Sequence, residues 1–170
     1  PAADPARWPE ESLAAGLDFG RGDYPAISGF HDLEPGLRWS PGRSTVVLRR
    51  DAQRYLTLSV TVPTVARFKE QGLGPQAGVA LTVAAGPCPP AVLPVERDGH
   101  LGATLELCPA AADAPPGRLP VVLSLNSAMR RIDTLPDGRR LAFALHALAL
   151  ADAPADGTAV IRAAAAPSSP

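Results

Sequence analysis

The chain predicts an all-β fold, a jelly-roll-like antiparallel β-sandwich with at most one or two short helices. Three observations carry that expectation. Twenty prolines and fifteen glycines in 170 residues interrupt helices and supply turns and strand ends. Apolar residues recur at every second position through several segments, the period of a half-buried strand. Turn-forming residues separate these segments at roughly 10 to 15 residue intervals, the rhythm of a sandwich or barrel. No internal repeat is visible, which argues against a propeller or solenoid.

Pro1 to Ala15 reads as a linker with a short helical turn at Glu10 to Ala15. Its first residue is not Met, as expected of a processed or excised piece, and it carries no signal-peptide pattern. Residues 1–16 are therefore expected as a linker or N-terminal extension, 17–150 as the sandwich, and 151–170 as a final strand and flexible tail.

Within the sandwich, Leu17-Asp18-Phe19-Gly20 opens the first strand, and Arg21 to Pro25 is turn-rich. Val46 and Leu48 share one face of the next clear strand. From Arg54 to Val62 the alternation is complete, with Leu56, Leu58, Val60 and Val62 opposite Tyr55, Thr57, Ser59 and Thr61. Thr64 to Gln71 is the one plausible helix. Alternation resumes through Val79, Leu81 and Val83, then Leu101 to Leu107, then Val121 to Leu125. Arg139 to Leu150 reads as the longest strand, with Leu141, Phe143 and Leu145 on one face and Ala142, Ala144, His146 and Leu148 on the other. Gly157 to Ala163 can form one strand more.

Composition narrows the function. Sixteen basic and seventeen acidic residues leave a net charge of -1, without the basic field that nucleic acid or anionic lipid requires. No apolar run reaches the roughly 18 residues needed to span a bilayer, so direct membrane insertion by this domain is not expected. Aromatic residues are only 5%, which leaves few platforms for stacking a ligand.

No reacting constellation emerges. His31, His100 and His146 are far apart and lack partners at metal-ligand spacing, and no nucleophile elbow, phosphate loop or zinc-protease motif occurs. No catalytic residue, metal or cofactor is therefore expected. His146, alternating with alanines, reads as a packed neutral histidine. Arg21-Gly22-Asp23 spells an adhesion tripeptide, a pattern short enough to recur by chance. Glu34 and Asp137 could pair as carboxylates acting on a glycosidic bond, but an ion-pair clasp with Arg38 or Arg139 accounts for them more simply. Trp8 and Trp39 could stack on a sugar or, more commonly for such positions, plug an end of the core. Cys88 and Cys108 flank a segment that reads as a hairpin or two adjacent strands. A disulfide there would contribute about 3 kcal/mol by restricting the unfolded chain, and two unpaired thiols are the alternative.

The stretch Gly29-Phe30-His31-Asp32-Leu33-Glu34-Pro35-Gly36-Leu37-Arg38-Trp39-Ser40 resembles a pattern found in β-sandwich domains appended to bacterial glycosyltransferases and to membrane proteins of surface-polysaccharide assembly. Those domains often open with an apolar-x-Phe-Gly strand, as in Leu17 to Gly20. They tend to close with Asp-x-Arg-x-Leu-Gly, matched by Asp137-Gly138-Arg139-Arg140-Leu141 except that Ala142 stands for the last glycine. The Asn of their central Val-x-Val-Asn-Gly turn is missing from Ala80 to Gly86.

The resemblance implies a non-catalytic, carbohydrate-associated module of a larger protein, with glycan and parent-protein domains as partners. Gly29, Glu34, Arg38, Trp39, Asp137, Arg139 and Leu141 would be its structural signature. Glu34 would accept hydrogen bonds from Arg38, Arg139 or backbone amides, and any glycan-binding residues would lie on loops yet to be identified. A structural domain packed on its parent enzyme, and a small glycan-acting enzyme, are the competing readings. The resemblance and the cysteines lean toward the periplasm or cell surface, while fusion of such domains to cytosolic glycosyltransferases keeps the cytoplasm open.

Overall fold

Strands with one apolar face leave water by stacking two sheets, and that is what this sequence does. The computed structural model describes residues 8–62, 79–95, 99–125, 133–134 and 140–162. One sheet runs in the order β1 (Gly16–Asp18), β12 (Phe143–Ala151), β5 (Tyr55–Thr61), β8 (His100–Glu106) and β13 (Val160–Arg162), with β3 (Arg38–Ser40) also paired to β12. The other runs β2 (Ile27–Ser28), β4 (Arg43–Arg50), β9 (Gly117–Leu125), β6 (Ala80–Ala85) and β7 (Ala91–Pro94). A separate pair joins β10 (Asp133–Thr134) to β11 (Arg140–Leu141). Among the described pairings only β13 is parallel to its neighbour, β8.

The order β3-β12-β5-β8 opposite β4-β9-β6-β7 is that of a jelly roll. Successive strands β3, β4, β5 and β6 alternate between sheets. The β6–β7 hairpin then turns the chain back through β8 and β9 toward β12. Helical structure among the described residues is limited to a 3-10 turn, Glu10–Ser12, and one turn of α-helix, α1 (Pro109–Ala112). The helix expected over Thr64 to Gln71 lies outside the described residues.

The core follows the two-residue period. Leu56, Leu58 and Val60 of β5 and Leu101, Ala103 and Leu105 of β8 join Val46 and Leu48 of β4 and Leu119, Val121 and Leu123 of β9 in one buried cluster. The last long strand departs from simple alternation. Its pairing with β5 shifts between Leu145 and Ala147, so His146 forms a bulge that β5 does not match residue for residue. The bulge brings Leu148 and Leu150 into the same core as Phe143 and Leu145. A regular strand would have turned Leu148 to the opposite face, as the sequence reading had it.

The bulge also divides the free edge of β12. Before it, β3 pairs with Phe143 to Leu145; after it, β1 pairs with Ala147 to Ala149. Phe19 N–H closes the junction on the His146 carbonyl at 3.0 Å.

The described residues ahead of β1, part of the expected linker or N-terminal extension, pack on the sandwich. Leu13 is buried in the core and Trp8 lies against it. The Ala14 carbonyl accepts from Arg49 N–H and the Ala15 carbonyl from Leu150 N–H, so two consecutive residues tie the two sheets together.

The same end of the sandwich is also fixed by a covalent bond and a buried cation. Cys88, in the turn after β6, is bonded to Cys108, just past β8. The bond thus joins the two sheets rather than neighbouring strands of one hairpin. Next to it, Arg50 ends the inward series Ser44, Val46, Leu48 and is buried. Its guanidinium donates to the carbonyls of Ala112, Ala114 and Gln53. Carbonyl acceptors at the end of α1 satisfy a charge that would be costly to bury bare.

Candidate functional site

Four of the signature residues, Gly29, Glu34, Arg38 and Trp39, lie on or beside β3. At Gly29 the backbone turns left-handed, with φ +76°, and a Cβ there would meet the Arg43 carbonyl at 2.6 Å. Only glycine allows that approach without strain. The Gly29 carbonyl accepts from Ser44 Oγ at 2.6 Å, and Ser44 Oγ bonds Ser40 Oγ at 2.6 Å. Ser40 Oγ in turn accepts from Gly42 N–H. The two hydroxyls therefore lock the β3–β4 corner without leaving a buried polar atom of their own unpaired.

A tight turn delivers Glu34 to β3. Glu34 and Leu37 exchange backbone hydrogen bonds of 3.0 and 3.2 Å around Pro35-Gly36, and Gly36 has φ +78°, the combination of a type II turn. Trp39 Nε1–H then donates to Glu34 Oε2 at 2.9 Å. Trp39 pairs in register with Ala144, which is buried but outside the core cluster. The indole thus lies on the outer face of its sheet, not across the end of the core.

Arg38 goes elsewhere than expected. Its guanidinium grips Asp23, with Nη2 at 2.9 and 2.8 Å from the two carboxylate oxygens and Nε at 3.2 Å. Nη1 donates to the His31 carbonyl at 2.7 Å. The Arg38 side chain is only 15% exposed, and its guanidinium carbon stands 5.9 Å from the centre of the Phe19 ring. Phe19 meets Phe30 edge-on at 6.5 Å. Three separate sequence pieces, Leu17 to Gly20, Gly29-Phe30 and Arg38 to Ser40, thereby form one cluster. Asp23, the last residue of the Arg21-Gly22-Asp23 tripeptide, is held by Arg38. Asp137 and Arg139 lie outside the described residues. Leu141 is buried and pairs with Asp133.

The bulged His146 joins this region to β5. Nε2 lies 2.8 Å from Thr61 Oγ1, and Nδ1 lies 3.3 Å from the Gly36 carbonyl. In its Nδ1–H tautomer the ring would donate to the Gly36 carbonyl and accept from the Thr61 hydroxyl. His31 N–H donates to the Trp39 carbonyl and His100 lies in register with Thr61, but no cluster among the described residues has the donors to hold a metal.

Beside β1 is an open cleft of about 420 Å³, lined by Gly16, Leu17, Asp18, Arg21, Gly22, Asp23, Tyr24 and Ala149. Tyr24 is anchored beneath it, donating to the Val47 carbonyl at 2.7 Å and accepting from Ala14 N–H at 3.1 Å. Burial pushes the Tyr24 phenol above its ordinary pKa, and the bond from Ala14 partly offsets this.

Sequence reasoning missed Tyr24, the Asp23–Arg38 pair and Arg50. Only Arg50 carried a signal, since alternation from Val46 and Leu48 already turns it inward. No known protein family matches the chain, and no curated protein matches it.

Proposed function

We propose that this chain is a non-catalytic, carbohydrate-associated module of a larger glycosyltransferase or polysaccharide-assembly protein. The observation that carries the reading is how the signature residues are used. Arg38 is committed to Asp23 and a backbone carbonyl, Trp39 to Glu34, and Ser40 to Ser44. Groups engaged in this way hold a scaffold, and scaffold residues are what the resemblance assigns to these positions. Neither described tryptophan stands exposed, so sugar recognition on this domain would rest on polar loop groups.

A second reading, a domain that packs on its parent enzyme, draws on Val92, 62% exposed on the edge strand β7. An unpaired strand edge with an apolar side chain suits strand-to-strand docking.

Screening the purified domain against an array of bacterial glycans, with hits titrated in solution, separates the two. Saturable binding to a glycan supports the module reading. A folded domain that binds none, yet co-purifies with its parent's catalytic region, transfers the assignment to the second.

A further inference from the structure

The cleft beside β1 has a chemistry of its own. Its floor is Gly16 against Ala149, and Gly16 has no room for a side chain, since a Cβ there would lie 2.5 Å from Ala149 Cβ. Small residues therefore keep the floor flat. Its rim is the polar loop Asp18 to Asp23. Asp18 Oδ1 accepts from Gly20 N–H at 2.8 Å, while Oδ2 stands 3.7 Å from Arg21 Nε. The Arg21 side chain is 89% exposed, so most of its five donors remain available to a ligand. Asp23, by contrast, is fully engaged by Arg38 and by Tyr24 N–H.

Charge decides the class of ligand. Each carboxylate at the rim has a guanidinium beside it, Asp18 with Arg21 and Asp23 with Arg38. Formal charges at the rim therefore sum to zero, which leaves no excess charge to favour a phosphate or a metal cation. What the rim offers is adjacent acceptors and donors, suited to a ligand whose groups do both, as vicinal hydroxyls do. At about 420 Å³ the space falls within the usual range for small-ligand sites.

We propose that this cleft binds one or two rings of a neutral glycan, with Asp18 accepting from and Arg21 donating to neighbouring hydroxyls. This assignment rests on the carbohydrate-associated reading above and gives it a location.

The test is amide NMR of the whole chain, titrated with methyl glycosides of glucose, galactose, mannose and rhamnose, and with inorganic phosphate and calcium as controls. The expected result is saturable shifts at Gly16, Asp18, Arg21 and Gly22 with at least one sugar, little changed by added salt. Arg21→Ala, at an exposed position, should weaken that sugar about tenfold, the worth of one hydrogen bond to a charged group, while leaving the fold intact. Gly22→Leu should also weaken it, since a side chain there meets no protein atom within 4 Å and would crowd the rim. Saturable shifts on another surface, indifferent to Arg21→Ala, would overturn the cleft and keep the carbohydrate reading. Phosphate or calcium binding tighter than every sugar would overturn the neutral-ligand argument. Absence of any saturable sugar shift would overturn both the cleft and glycan binding.

Discussion

Single residues at three positions bear more of this fold than their neighbours. Arg50 is a buried cation whose acceptors are backbone carbonyls of a different segment. Arg50→Met should lower stability by about 2 to 4 kcal/mol, since it leaves those carbonyls unpaired; Arg50→Lys, with one ammonium in place of a fork, should recover only part. A urea midpoint unchanged by either would dismiss the anchor. Gly29→Ala forces a side chain into a left-handed residue and against the Arg43 carbonyl, and should cost at least about 2 kcal/mol in the same assay. Tyr24 makes stability depend on alkaline pH. Its folded pKa lies above the ordinary value near 10, so its contribution is complete below that pH and is lost as pH rises through the folded value. Denaturation midpoints should therefore fall more steeply above about pH 10 in the native chain than in Tyr24→Phe. Parallel curves would show that the phenol is not the group responsible.

At the level of elements, alternation made β4, β5, β6, β8 and β9 readable because each has one apolar face and one partner sheet. The same rule failed on β12 for a physical reason. Leu148 follows Leu145 at an odd spacing, and only a bulge at His146 lets both reach one core. Periodicity can register that mismatch but cannot place the extra residue. The side-chain pairings around β3 were not legible: Arg38 selects Asp23, fifteen positions upstream, across a turn that sequence reads only as irregular. The Trp39–Glu34 tether distinguishes an acceptor from a reacting acid. Glu34→Ala removes the acceptor of the indole and should cost about 1 to 2 kcal/mol, while Glu34→Gln keeps an oxygen there and should cost less. Equal losses in both variants, measured by thermal unfolding, would mean that the carboxylate's charge is what matters.

For the molecule as a whole, the two sheets are joined at one corner by Ala14 and Ala15 and at another by the Cys88–Cys108 bond. Reduction should lower stability by about 3 kcal/mol with the strands retained, read as a shifted urea midpoint with an unchanged far-UV spectrum. A midpoint insensitive to reductant would mean that the noncovalent contacts alone hold that corner. The fold class was legible because it needs only period and punctuation. The joining of the sheets was not, because it depends on which distant strands become neighbours.

The strand directions carry a mechanical consequence. β1 and β13 occupy opposite edges of one sheet, and the chain enters β1 at the same end of that sheet from which it leaves β13, since β1 and β5 run one way while β12, β8 and β13 run the other. Tension applied at Gly16 and Arg162 would therefore act across the strands, opening each ladder one hydrogen bond at a time instead of shearing many together. β13, three residues long and exposed, would peel first. Residues between the cysteines would stay looped until the bond was reduced, so stretching would release the chain in two lengths that differ with redox state.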